Sequence, residues 1–425
     1  VALLAQLLLA VSCGGDTGEA PGPAPATEPA EGPSPRLPNI VLFSIDTLRA
    51  DRLGAYGYDR PTSPHIDAFS EGAVLFERAI SQAPSTAPAH MSIFTGLMPS
   101  VHRVLNFPRR EATYTQLDRG IPTFTERLRD EGYYTVGLHG GGNVDGSLGF
   151  DRGFHLYSHD LVSFHWFDAH RSPDDLSAIR HWLQLARGRG RPLFLFLHHF
   201  VCHSPYVKAP DEYRERFLAD RRVEGLPLGV PDSVRSRLSR QVGKRTSITT
   251  QMMLIRKRYA KRLHTFWRGV DLARADHRRH IEALYDSGVA YSDYLFDQVL
   301  RILREEKVYS DTIVILTSDH GEEFWEHGGR EHGRLFAEHL HVPMIVKLHE
   351  GAGVGARAIR QTVRTIDLMP TLFDYLDLQV EHEIQATTLR PLIDGTGPYD
   401  APILSYNGPT FGAVRVERDG ISFNN

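Results

Sequence analysis

The sequence predicts an α/β fold, a largely parallel central sheet sandwiched between helices. Two observations carry this. Continuous apolar runs such as NIVLFSID at 39–46 have the length and character of strands buried on both faces. Between them lie stretches with helical periodicity, most clearly 281–306, where Leu284, Val289, Tyr291, Leu295, Val299 and Leu303 keep one apolar face. Alternation of these two patterns is the signature of helices packed on a mostly parallel sheet. The 425 residues, 41% hydrophobic and 24% charged, suffice for a sizeable core, and there is no internal repeat. A net charge of −4 gives no reason to expect a nucleic-acid partner.

In chain order, the first residues (VALLAQLLLAVSCGGD) form an apolar run too short to span a bilayer but long enough for a signal-peptide core. Leu9-Ala10-Val11-Ser12-Cys13 resembles a bacterial lipoprotein signal, in which the Cys is lipidated. Residues 1–13 are therefore expected to be such a signal. They would place the protein in a bacterial cell envelope, lipid-anchored or secreted, at the periplasmic face or cell surface. An anchor of this kind holds a protein at a membrane surface without spanning it. Residues 14–38 are a Pro/Ala/Glu-rich tether unable to bury a core. The catalytic domain is expected over 39–425, with strands at 39–46, 134–138, 193–198, 312–317, 342–347 and 402–406 and helices at 123–131, 173–187 and 281–306. Within 211–280 the apolar periodicity weakens and cations accumulate, Arg256, Lys257, Arg258, Lys261 and Arg262 among them. That basic insertion is either a solvated face or a lid toward anionic substrate or lipid headgroups. With only Cys13 and Cys202 present, a disulfide framework and a multi-Cys zinc site are both excluded. Cys202 reads as a free, partly buried thiol without catalytic part.

Three places carry chemistry. In APSTAPAHMSIFTGLMPSVHRV (83–104), Pro88 suits a first helical position and Gly96 a helix end. The Thr86 hydroxyl then stands just ahead of the helix, at the positive end of its dipole, where an anionic ester would be held. The same residues also fit an ordinary Ser/Thr-Pro helix start. Asp46 closes the first strand, and Asp319-His320 follow the strand TIVILTS. Catalytic groups of open α/β sheets collect at carboxyl ends of strands. Each Asp alone reads as a turn or cap residue. Together with Thr86, these residues offer three oxygens and a nitrogen to one divalent cation.

These stretches resemble the sulfatase family of the alkaline phosphatase superfamily, in order from Asn39 to about Asp394. PNIVLFSIDTLRADRLGAYGYDRPTSPHIDAF is similar to the family's opening metal strand, and TAPAHMSIFTGLMPSVHRV to its nucleophile signature. GFDRGFHLY, LHHFVCHSPY, ALYDSGVAYSDYLFDQVL, TSDHGEEFWEHG, HGRLFAEHLHVPMIV and RTIDLMPTLFDYL resemble later blocks in family order. The resemblance implies an alkaline-phosphatase-like sandwich with a short C-terminal part. It implies Asp46, Asp319 and His320 as metal ligands joined by Thr86. It puts Thr86 on the nucleophile, His90 on the signature's Arg, His203 near the ester oxygens or leaving group, and His332 where many sulfatases carry an anion-contacting Lys. His203 and His332 are the candidate general acids.

The departures share a chemical direction. Sulfatases convert the signature Cys or Ser to formylglycine; Thr86, a secondary alcohol, cannot give that aldehyde. Thr47 stands in place of a second Asp, and His320 in place of the Asn usual in calcium sulfatases. An imidazole ligand favours Zn²⁺ or Mn²⁺ over Ca²⁺, although Ca²⁺ is not excluded. A Thr hydroxyl on such an ion is a competent nucleophile for phosphoryl transfer, through a phospho-threonine. The expectation is a metal-dependent hydrolase of sulfate or phosphate esters, with the phosphoester preferred, acting on a glycan, lipid headgroup or small molecule. The alternatives are a phosphoethanolamine- or phosphoglycerol-type transferase and a non-catalytic binder of anionic glycans.

Overall fold

β1 (Asn39–Ile45) is the hub of the central sheet. Its side chains alternate between two faces, as strand geometry requires. Val41, Phe43 and Ile45 enter one apolar core and Ile40 and Leu42 the other. The structure, a computed structural model, describes residues 37–105, 116–140, 142–157, 177–226, 228, 264–380, 382–407, 410–417 and 420–424. The proposed signal and most of the tether lie outside those residues, as do most cations of the basic insertion and the start of the helix expected at 173–187.

β5 (Leu193–His199) and β6 (Thr312–Thr317) flank β1, both parallel to it. Outward from β5 come β3 (Tyr134–His139) and β4 (Leu156–Tyr157). Outward from β6 come β9 (His341–Lys347), β2 (Val74–Ile80) and, both against β2, β10 (Arg357–Ile359) and β11 (Val363–Arg364). Among the described residues this sheet has nine strands, and only β9 runs against the rest. A small hairpin pairs β7 (Glu323–Phe324) with β8 (Arg330–Glu331).

Helices cover both faces. Ile66 and Phe69 of α1 (Pro64–Ser70) join the core on the Phe43 side. Met91 and Phe94 of α2 (Thr86–Thr95) join the Leu42 side, next to the short α3 (Pro99–His102) and to Phe124 and Leu128 of α4 (Phe124–Asp130). Ile179 and Leu183 of α5 (Ser177–Gly188) return to the Phe43 side. So do Phe217 of α6 (Asp211–Leu218) and Leu284, Phe296 and Val299 of α7 (Ala275–Glu305). Each buried side chain of this size contributes about 1.5–3 kcal/mol. Among the described residues no helix is long and apolar enough to cross a membrane.

Three expectations need correction. The long helix begins at Ala275, not Ile281, because 275–280 continue its turns with His277 and His280 buried. The run expected as a strand at 402–406 is β12 (Leu404–Asn407), outside the central sheet. It pairs antiparallel with β13 (Thr410–Glu417), which pairs with β14 (Gly420–Asn424). Cys202 is wholly buried and free, bonded to Ser292 Oγ at 3.4 Å, and burial pushes its thiol up to about 12.

One buried histidine makes folding sensitive to acid. His102 Nδ1 accepts from the Val104 amide at 3.0 Å, and its Nε2 lies 3.1 Å from Ser92 Oγ. Burial depresses its pKa from 6.5 to about 3. Below the unfolded value the denatured chain binds a proton that the native chain refuses, so stability falls as pH drops from 6.5 toward 3. At pH 5 the loss from this one group is about 2 kcal/mol. Denaturant unfolding at pH 7.5 and pH 5 should show it, and His102→Gln should flatten the dependence.

Candidate active site and metal centre

Three chain segments meet under the first turn of α2. β1 delivers Asp46, whose amide donates to the His199 carbonyl at 2.9 Å and prolongs the pairing with β5. The chain then turns at Thr47, where φ is 61°, a left-handed conformation rare for a β-branched residue. Three bonds hold the turn. The Thr47 amide donates to Asp319 Oδ1 at 3.2 Å, the Thr47 carbonyl accepts from the Tyr285 hydroxyl at 2.8 Å, and the Arg49 amide donates to that hydroxyl at 3.0 Å. Thr47 therefore serves the site through its backbone, while its hydroxyl donates to the Asp46 carbonyl at 2.7 Å.

β6 delivers Asp319 and His320. Asp319 Oδ1 accepts from the His320 amide at 2.9 Å as well as from Thr47. Among the described residues Asp319 Oδ2 and Asp46 Oδ1 are buried with no hydrogen-bond partner. His320 Nδ1 lies 2.9 Å from the Gly321 carbonyl, so it carries the proton and Nε2 presents a lone pair. That nitrogen lies 3.3 Å from Thr86 Oγ1, 3.4 Å from Asp319 Oδ2 and 3.7 Å from Asp46 Oδ1. Gly321 suits the turn, since a Cβ there would come within 2.0 Å of the Glu338 carbonyl.

Thr86 is the first residue of α2, with Ser85 in extended geometry before it. The helix thus starts two residues before Pro88, and Thr86 lies within it rather than ahead of it. Its hydroxyl keeps the place at the positive end of the helix dipole. Gly96, with φ 69°, ends the helix, its amide donating to the Ser92 carbonyl.

The donor set fits a divalent cation. A tetrahedral ion with bonds of about 2.0–2.1 Å separates its ligand atoms by roughly 3.3–3.4 Å. The separations of 3.3, 3.4 and 3.7 Å around His320 Nε2 are close to that. The protonation states fit as well. Burial first, then His332, holds His320 well below the usual imidazole range and keeps its nitrogen available. Burial, then Asp319, pushes Asp46 well above the carboxylate range, a cost that a bound cation would reverse.

A second group of rings stands beside the cluster. The His332 ring is 4.4 Å from that of His320 and 5.0 Å from that of His203. The His332 side chain is 18% exposed while those of Asp319 and His320 are fully buried, so His332 lies between the cluster's buried ligands and the surface. His332 Nδ1 lies 3.1 Å from Glu322 Oε1. Burial opposes charge on His332, but Glu322, with Glu331 and Asp319 behind it, outweighs burial and raises the pKa. His203 is driven the other way, by burial and then by His332, and its Nδ1 donates to the Ser204 carbonyl at 2.9 Å. Lys208 Nζ donates to the Phe200 and His203 carbonyls, both at 2.8 Å, and fixes the loop carrying His203. His90 sits deeper, with Nε2 2.8 Å from Ser44 Oγ and Nδ1 3.1 Å from the Thr86 carbonyl.

The structure thus gathers Asp46, Thr86, Asp319 and His320 into one cluster, with His203 and His332 at its mouth and His90 behind it. Sequence reasoning passed over His198, Tyr285, Glu322 and Lys208. The LHHF run signalled His198, two polar rings ending an apolar strand. Nothing local signalled Tyr285, which acts across 238 residues of chain.

The profile of the sulfatase family matches residues 38–378, which include every residue of the cluster. The chain belongs to the sulfatase family. Among curated members it is 24% identical to human iduronate 2-sulfatase over 339 residues, 72% of this chain but 59% of that protein. Solved structures share the fold. The phosphonate monoester hydrolase of Agrobacterium radiobacter superposes with a TM-score of 0.58 at 20% identity, covering 87% of this chain and 79% of its own. A chain solved with its substrate D-glucosamine-2-N,6-O-disulfate gives a TM-score of 0.64 at 16% identity, covering 89% and 87%.

Proposed function

We propose that this sulfatase-family chain is a metal-dependent ester hydrolase with Thr86 as nucleophile and a preference for phosphate over sulfate esters. One observation carries the reading. Thr86 Oγ1 lies 3.3 Å from His320 Nε2, in a buried cluster with two carboxylate oxygens that have no partner among the described residues. Asp46, Thr86, Asp319 and His320 would hold the ion, and imidazole with carboxylates favours zinc or manganese. The bound ion would supply Lewis acidity toward the ester oxygens. Everything else falls to the chain. The start of α2 sets Thr86 Oγ1 where a dipole favours negative charge. The Thr86 hydroxyl gives up its proton to water, the oxygen attacks phosphorus, the phosphoryl group passes to Thr86, and the ester's alcohol departs. His332, oriented by Glu322 and partly exposed, is placed to protonate that alcohol. Water then releases phosphate from Thr86. A threonine hydroxyl suits this double displacement and cannot become the aldehyde that sulfatases use. Sulfate esters remain the comparison substrates, because the human relative is by name a sulfatase.

The test is a panel of aryl sulfate, phosphate monoester and phosphate diester substrates, run on protein whose metal content has been measured. Turnover of aryl phosphates above aryl sulfates is expected. A purified, folded protein that binds no metal and turns over none of them would favour a non-catalytic binder. Product analysis with and without an acceptor alcohol separates hydrolysis from headgroup transfer.

A further inference from the structure

Behind the cluster the same two carboxylates face a second set of imidazoles. β1 and β5 are in register with Ser44 opposite His198, so both side chains leave the sheet on the face that α2 covers. The His198 side chain is fully buried, and among the described residues neither of its ring nitrogens has a hydrogen-bond partner. An imidazole left so in an interior has given up its water without a partner in exchange, which is unfavourable unless something else meets the ring. Its Nε2 points toward Asp46 Oδ2 at 3.7 Å. The His90 ring stands edge-on to it, with centroids 4.8 Å apart. His90 Nδ1 is 3.7 Å from Asp319 Oδ2, the oxygen that also faces His320. Ligand atoms of His90, His198 and Asp319 all lie within 4.8 Å of one another. Asp46 therefore turns Oδ1 toward His320 and Oδ2 toward His198, and Asp319 Oδ2 lies between His320 and His90.

We infer that a second divalent cation binds between His90, His198 and Asp319, with Asp46 Oδ2 beside it. The two aspartates then bridge a pair of ions. This rests on the metal-dependent reading above and adds a binding position to it. Two imidazoles and shared carboxylates suit zinc or manganese and not calcium. Bridged pairs of this kind lie about 3.5–4 Å apart. Binding selects one tautomer of His90. Its proton moves from Nδ1, where the Thr86 carbonyl accepts it at 3.1 Å, to Nε2, where Ser44 Oγ accepts it at 2.8 Å. Ser44 then orients the ring from behind, as an outer partner of a ligating histidine does.

The experiment is zinc titration of the full chain, with elemental analysis after loosely held metal is removed. Two zinc ions per chain are expected for the wild type, one for His198→Asn, and fewer than one for Asp319→Asn. A ceiling of one ion in the wild type, unchanged in His198→Asn, overturns the second position and leaves the first standing. Two ions retained in His198→Asn place the second elsewhere and also overturn it. No ion in the wild type overturns the metal-dependent reading itself. If His198→Asn fails to fold, the cobalt-loaded wild type decides by electron paramagnetic resonance. A spin-coupled pair is expected, and a signal from isolated ions alone refutes the bridge.

Discussion

Thr86→Ala is expected to lower turnover of the best phosphate ester by about 10³-fold or more while leaving the fold intact, since in the proposed mechanism loss of the nucleophile removes the whole covalent route. Alanine is at home in a first helical turn, and the Thr86 hydroxyl contributes one contact, to His320. The thermal midpoint should therefore move little while activity collapses. Wild-type protein quenched during turnover should carry one phosphoryl group on the peptide containing Thr86, and the Ala variant none. Thr86→Ser should retain part of the activity, since it keeps the hydroxyl. The opposite result is specific. Robust sulfatase turnover that Thr86→Ala abolishes, with no phosphoryl peptide, would remove the preference for phosphorus and keep Thr86 as nucleophile.

Tyr285→Phe is expected to destabilise the protein by about 2–6 kcal/mol, because it strands two buried backbone groups at about 1–3 kcal/mol each. The hydroxyl donates to the Thr47 carbonyl and accepts from the Arg49 amide, and Phe can do neither. The ring itself is kept, so its edge contacts with Tyr206 and Phe324 survive and the loss isolates the hydrogen bonds. Urea unfolding measures it, and a change below about 0.5 kcal/mol would show that the turn needs no such clamp. Activity should fall too. The Thr47 amide is one of the two that fix Asp319 Oδ1, and its left-handed conformation is held from outside the turn.

How much of this was legible in the sequence depended on where each residue's partner lies. β1, β5 and β6 declared themselves because strands buried on both faces must be apolar throughout. β2 did not, since Glu77 and Arg78 interrupt its pattern where it is only half covered. The reversed direction of β9 leaves no mark in composition at all. Asp46 and Asp319-His320 were legible because a carboxylate just past a buried strand is conspicuous. The LHHF run pointed to His198 at the end of β5, but a ring at the end of a buried strand also reads as core, so the signal did not separate the two. Tyr285 and Glu322 work through hydrogen bonds whose other ends are set by folding alone. The helix around Thr86 was placed two residues late, because Pro88 suits more than one position in a first turn.

The central place of β1 has a consequence in time. It is the first strand of the sheet to be synthesised, yet its two neighbours are the fifth and sixth of the nine described strands; Thr47 meets Asp319 across 272 residues of chain. At about 5–20 residues per second, a ribosome needs roughly 15–55 s to supply the second neighbour. For that interval NIVLFSI has at least one unpaired edge and apolar surface on both faces. A strand buried on both faces of the finished protein is thus an exposed liability of the nascent one. Delayed closure around β1 is expected to make the yield of this chain respond to chaperones and to lowered growth temperature.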